Sequence, residues 1–194
     1  VLEAVEKGEL PEEEINAKCR KVLTYKYILR LERKPFVKLS GLGTRINTPQ
    51  TRDLISRLNL AAITVLNNKN DVLPLHPDLK EAAILNVGKP EEIEPFDRKM
   101  KKYTSFARFQ LRKDLPEAEQ QKLRDSLAAY RRVIVTVTEQ RLAPYQSFFA
   151  KFAPESPVIY VFYTPAKSML QIQRAVSAAE AVVLAHASRD DVQE

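Results

Sequence analysis

Three stretches decide what this chain can fold into: residues 133–137 (VIVTV), 158–163 (VIYVFY) and 181–185 (AVVLA). Each is almost unbroken in apolar, largely β-branched residues. Successive side chains of a strand point to opposite faces, so a strand wet on one side alternates apolar and polar. A run apolar at nearly every position needs cover on both faces, and that is the situation of a central strand in a parallel sheet. The segments between the runs are long enough to cross from one end of such a sheet to the other.

From Ala82 onward the order is strand, helix, strand, helix. Residues 82–87 (AAILNV) read as a strand, 90–102 as a helix, and 105–111 (SFARFQL) as a strand that alternates and therefore belongs at an edge. A polar helix over 116–130, a strand over 132–138, a helix opened by Pro144, a strand over 157–163, a helix over 168–180 and a last strand over 181–187 complete the series. This repeat predicts an α/β fold: a mostly parallel, five- to six-stranded sheet in flavodoxin-like order, with helices on both faces and right-handed crossovers.

The amino-terminal part has a different texture. Residues 1–7 read as the end of a helix stopped at Gly8, and Pro11 opens another, with Glu12, Glu13 and Glu14 at the positive end of its dipole. Ile15, Cys19, Val22, Leu23 and Leu29 form an apolar stripe at helical spacing. Residues 32–47, with Pro35, Gly41 and Gly43, show no period and read as a linker; Gly41-Leu42-Gly43 has Ile46 where a dinucleotide fingerprint needs its third glycine. Thr48-Pro49 is a helix start, and Leu54, Leu58, Ala61, Ala62 and Val65 continue at helical spacing into residues 67–88, NNKNDVLPLHPDLKEAAILNVG. That stretch marks the passage from helix and linker into the sheet, so two domains are expected, over 1–47 and 48–194.

The chemistry-bearing residues are few. The net charge is +6, but basic and acidic residues are interspersed, and the densest basic cluster, Arg98-Lys99-Met100-Lys101-Lys102, reads as a solvated helix face, so no nucleic-acid partner is expected. Cys19 is the one cysteine, which leaves no internal disulfide, and its place on the stripe predicts packing. No apolar run approaches the roughly 20 residues of a membrane helix. His76 sits in a turn between Leu75 and Pro77 and is expected at the surface; His186 ends a strand and is expected packed or capped. Two distant histidines and one cysteine make no metal set. No P-loop, nucleophile elbow or catalytic triad order is present, so no catalytic residue, metal or cofactor is expected and the substrate-binding residues stay unassigned. Thr138-Glu139 and Asn86-Val87-Gly88-Lys89 argue against a phospho-receiver, which needs an aspartate and an acidic pair at those places. In an open parallel sheet ligands bind beyond the carboxyl ends of the strands, at the switch in strand order. The loops so placed are Gly88-Lys89, Glu139-Gln140-Arg141, Thr164-Pro165-Ala166 and Ser188-Arg189-Asp190-Asp191, with Glu139, Arg141, Arg189 and Asp190 as the ligand-facing groups. A stand-alone flavodoxin-like module binding a flavin, nucleotide or other small molecule is one reading of this pattern.

Residues 67–88 also carry a resemblance. Val65-Leu66-Asn67-Asn68, then Leu73-Pro74-Leu75, then a strand ending at Gly88 resemble the start of the carboxyl-terminal α/β sandwich domain of glycoside hydrolase family 3, with Asn68 on the final Asn of the family's LLKN. Residues 5–31 resemble the segment that closes the family's barrel domain. Thr164-Pro165 falls at the family's turn after a strand, and Gln193 at the Gln opening its last helix. The resemblance implies a glycosidase acting on terminal β-linked sugars, of β-N-acetylhexosaminidase or β-glucosidase type. Its partners would be a carbohydrate substrate and an amino-terminal barrel domain, and the periplasm or secretion is the favoured location of the full-length protein. It also implies that the nucleophile lies on the barrel and that this stretch, with residues 1–47 as barrel end and linker and 48–194 as a domain cut short at its carboxyl end, is non-catalytic by itself. In the β-glucosidase branch the acid/base is a glutamate of this domain; no glutamate here matches it, which favours the N-acetylhexosaminidase branch.

Overall fold

The structure is a computed structural model. It describes residues 1–33, 38–76, 81–103, 105–152, 157–187 and 192. The chain divides into two compact units, Val1–Thr48 and Pro49–Glu194.

In the first unit, α1 (Leu2–Glu6) stops before Gly8, whose φ of +73° lies in the left-handed region. Helix α2 (Glu12–Ile28) follows Pro11, with three glutamates in its first turn and Lys26 in its last. Its apolar stripe is not covered: Val22 and Leu23 are exposed, and so is Cys19, which corrects the packed cysteine expected from the spacing. A helix without a buried face gives its cysteine nothing to pack against. Within the expected linker, residues 42–46 form a short helix, α3 (Leu42–Ile46), entered through Gly41 at φ +69°. Pro35 lies outside the described residues.

The second unit opens with α4 (Pro49–Ala62), which ends sooner than its apolar spacing suggests. Residues 64–68 leave the helix and become β1 (Thr64–Asn68), paired antiparallel with the last strand, β6 (Ala181–Leu184). The remaining strands are β2 (Ala82–Val87), β3 (Ala107–Leu111), β4 (Arg132–Val137) and β5 (Val158–Phe162). All neighbours among β2 to β6 pair parallel, and the sheet order is β1-β6-β5-β4-β2-β3. Leaving aside β1, this is the expected flavodoxin-like order, with the alternating strand β3 at an edge.

The order fixes the layers. The connection from β2 to β3 runs one way across the sheet and all later ones run the other way. Right-handed crossovers therefore put α5 (Glu94–Met100) on one face and α6 (Glu117–Ala128), α7 (Gln146–Lys151) and α8 (Gln173–Ala178) on the other. The packing agrees. Ile84, Ile134, Ile159 and Ala181 stand in register on four adjacent strands beneath Phe96 and Met100 of α5. One residue along, Leu85, Val135, Tyr160 and Val182 face the opposite way, in the core with Leu127, Phe148, Phe149 and Val176 of α6, α7 and α8. Asp97 of α5 accepts from Arg108 Nε of β3 at 2.7 Å, tying that helix to the edge strand. Burial nevertheless holds its carboxyl above the usual range, against the pull of Arg108 and Lys101.

The junction at residues 67–75 is held by side-chain amides. Asn68 Nδ2 donates to Leu73 O and Asn68 Oδ1 accepts from Leu73 N, both at 3.0 Å, so one side chain closes the turn as a strand partner would. Asn67 Nδ2 donates to Ala179 O at 3.0 Å, and Lys69 N donates to Glu180 O at 2.8 Å. The closed turn delivers Val72, Leu73 and Leu75 onto the core face below α5. No helix among the described residues is long and apolar enough to cross a membrane.

Candidate functional site

One register step before the strands end, the α5 face turns polar. Gln110 of β3, Asn86 of β2 and Thr136 of β4 stand side by side. Asn86 Nδ2 donates to Gln110 Oε1 at 2.9 Å, and Thr136 Oγ1 donates to Asn86 Oδ1 at 3.3 Å. The belt also reaches up into the loop after β2: Gln110 Nε2 donates to Gly88 O at 2.7 Å and Asn86 Nδ2 to Lys89 O at 3.4 Å. Buried amides without partners are costly, so these three side chains specify both the register of the strands and the path of the loop they hold.

Gly88 brings that loop hard against β4. Its φ is +140°, and a Cβ there would lie 2.0 Å from Thr138 Oγ1. Thr138 N and Glu139 N both donate to Val87 O, at 3.0 and 3.2 Å. The loops after β2, β3 and β4 thus converge at the point where strand order reverses. They enclose a cleft of about 770 Å³ lined by Gly88, Lys89, Glu92, Lys113, Glu139 and Arg141, among others.

The cleft unites two of the four loops singled out from the sequence, Gly88-Lys89 and Glu139-Gln140-Arg141. Lys89 and Arg141 are exposed and Glu139 is half-buried. Glu139 Oε1 accepts from Arg141 N at 3.1 Å, which closes the loop on itself. Tyr145, buried behind it, has its phenol pushed up by burial and further by Glu139 and Asp114. Gln171 braces the same loop from α8's side of the fold: its Nε2 donates to Gln140 O at 2.9 Å and its Oε1 accepts from Leu142 N at 2.8 Å. The Thr164-Pro165-Ala166 turn does not line this cleft; Thr164 is buried. The Ser188-Arg189-Asp190-Asp191 loop, with Arg189 and Asp190, lies outside the described residues, as does Gln193. His186 is exposed at φ +67°, two residues past the end of β6, which corrects the packed or capped histidine expected there. His76 is exposed as expected.

Two charged cleft residues were missing from the sequence reading: Lys113, in the loop after the edge strand, and Glu92. A signal for Lys113 existed, since it stands three residues after Gln110 just as Lys89 stands three after Asn86. Among the described residues no group of three or more His, Cys, Asp or Glu side chains is placed to hold a metal ion. A second cavity, about 420 Å³, opens at the other end of the sheet, lined by β5, the residues entering β6, α7 and α8. Among the described residues, no loop from the carboxyl end of a parallel strand lines it.

No protein-family model matches the chain, and no curated protein matches it significantly. Solved structures do. A β-glucoside phosphorylase, BglX, superposes with a TM-score of 0.64 at 17% identity, over 99% of this chain and 37% of its own. A β-glucosidase from Listeria innocua, a D270A mutant in complex with laminaribiose, gives 0.64 at 13% identity, over 100% of this chain and 31% of its own. A fungal multi-domain GH3 β-N-acetylglucosaminidase gives 0.57 at 15% identity, over 100% and 22%. The chain has the fold of one part of these enzymes. It spans little more than a third of the longest-covered of them. The likeness takes in both compact units.

Proposed function

We propose that this chain is the carboxyl-terminal α/β domain of a family 3 glycoside hydrolase, preceded over residues 1–47 by the end of its barrel domain and the linker. The full-length enzyme hydrolyses terminal β-linked sugars, with N-acetylglucosaminides favoured. The observation that carries this reading is the likeness along the whole chain, at TM-scores of 0.57 to 0.64, to a minor part of several enzymes titled β-glucosidase, β-glucoside phosphorylase or β-N-acetylglucosaminidase. The quoted motifs of the sequence agree with it in order and spacing. The domain's role is to dock on the barrel and shape the mouth of the sugar site. Exposed apolar residues of α4, Leu54, Leu58 and Leu60, support a docking role.

The preference for N-acetylglucosaminides rests on the carboxylates. Glu139, the glutamate best placed at a strand end, is folded onto its own loop through Arg141 N. A retaining glycosidase needs two groups flanking the scissile bond, about 5 Å apart where both are carboxylates. The chain alone has no such pair assigned and is non-catalytic. The test is turnover of an aryl β-N-acetylglucosaminide and an aryl β-glucoside by the full-length protein and by the 194-residue chain. Turnover by the full-length protein and none by the chain is expected; no turnover of either substrate by the full-length protein sinks the reading.

A further inference from the structure

We propose that the switch-point cleft binds a small oxyanion of the phosphate type, through Lys89, Lys113 and Arg141. The three cations come from the loops after β2, β3 and β4, which are neighbours in the sheet order β4-β2-β3. None of the three side chains has an ion-pair or hydrogen-bond partner among the described residues. Arg141 contributes only its backbone N–H to Glu139. Among the described lining residues the carboxylates are Glu92 and Glu139, so the cations outnumber them, and one carboxylate oxygen of Glu139 is already taken up by that N–H.

The frame beneath is built to hold its shape. The Gln110–Asn86–Thr136 belt locks three strand ends in register and grips the carbonyls of Gly88 and Lys89. The main chain that carries Lys89 is therefore fixed before any ligand arrives. Gly88 lets it lie against Thr138, where a side chain would force it away and spread the cleft. Thr138 itself is nearly fully buried in the cleft wall, and its Oγ1 has no hydrogen-bond partner among the described residues. Cations carried on the loops at the carboxyl ends of adjacent parallel strands are placed to meet an anionic ligand. Arg supplies a fork that matches two oxygens of a phosphate, and the lysines add mobile point charges. The free anion and a sugar-borne phosphate present the same oxygens.

This inference does not depend on the glycosidase reading, because its test is binding and not turnover. The 194-residue chain is titrated at low ionic strength with inorganic phosphate, a hexose phosphate and the neutral hexose, by calorimetry and by amide NMR. Saturable one-to-one binding of either phosphate is expected, with shifts at the amides of Gly88, Lys89, Lys113 and Glu139 to Arg141. Tighter binding of one of the two tells a free from a sugar-borne oxyanion. Lys113→Ala and Arg141→Ala each weaken it about tenfold, as loss of a charge-assisted hydrogen bond does, while Lys113→Arg retains it. All three residues are exposed, so the variants keep the thermal unfolding of the parent, which is measured alongside. The proposal is overturned by absence of saturation, by equal binding of the neutral hexose at these amides, or by binding that survives the Lys113→Ala/Arg141→Ala pair, which is the behaviour of an unspecific surface anion.

Discussion

Replacing Gly88 by alanine puts a methyl group where the structure has no room. The new Cβ would stand 2.0 Å from Thr138 Oγ1, 3.2 Å from Thr138 Cβ and 3.1 Å from Glu139 N. Non-bonded heavy atoms settle at about 3.5 Å or beyond, so even with the threonine hydroxyl turned aside the loop and β4 must part by a few tenths of an ångström. Rotation of the threonine hydroxyl relieves only the first contact. Parting strains the hydrogen bonds of Thr138 N and Glu139 N to Val87 O, each worth about 1 kcal/mol. Holding a non-glycine residue at φ +140° adds about 1–3 kcal/mol. The sum is about 3–5 kcal/mol, a large part of the roughly 5–15 kcal/mol that holds a domain folded. Urea unfolding of the chain and of Gly88→Ala measures it. A double-mutant cycle with Thr138→Ala then isolates the clash, because that change removes the hydroxyl and leaves the backbone strain. Recovery of about 1–2 kcal/mol in the double variant is expected. A cost below about 1 kcal/mol for Gly88→Ala, or strictly additive effects, would refute the close-approach argument.

Two further changes probe other parts of the frame. Asn68→Ala removes both bonds to Leu73 and is expected to cost about 2 kcal/mol in the same unfolding assay; Asn68→Asp keeps the acceptor, sets a carboxylate against Leu73 O and falls no better than Asn68→Ala. On α6, the hydrogen bond from Lys151 and then that from Arg124 hold the Glu117 carboxyl below its usual range. A depressed carboxyl contributes stability above its unfolded value, about 4.3, and loses it as pH falls through the lower folded value. Lys151→Met should therefore move the NMR-detected titration of Glu117 upward, leaving Arg124 to hold part of the shift; an unchanged titration would show that Lys151 does not act on it.

The candidate site was half legible. Gly88-Lys89 and Glu139-Gln140-Arg141 follow from the rule that ligands meet the carboxyl ends of parallel strands, and each strand end is visible as the close of an apolar run. Lys113 follows the alternating edge strand, and its loop was not among those named from the sequence. In this strand order the edge strand is the immediate neighbour of the switch point, so its loop belongs there. The Asn86–Gln110–Thr136 belt needs three residues from three runs to fall in register, and no local pattern states that.

The near-continuous runs of β4, β5 and β6 determined by themselves that these strands are covered on both faces, and their alternation with helical segments determined that the sheet is parallel. The alternation of β3 determined its place at an edge. Tertiary structure alone decided what residues 64–68 become. Leu54, Leu58, Ala61, Ala62 and Val65 satisfy a helical period, yet β6 would otherwise present an open row of backbone groups, and β1 takes that edge in antiparallel register. The same holds for Cys19 and His186, which sit at positions that read as buried and stand in solvent. Periodicity states which face of an element is apolar. Whether anything covers that face depends on elements distant in the chain, and only the folded chain supplies them.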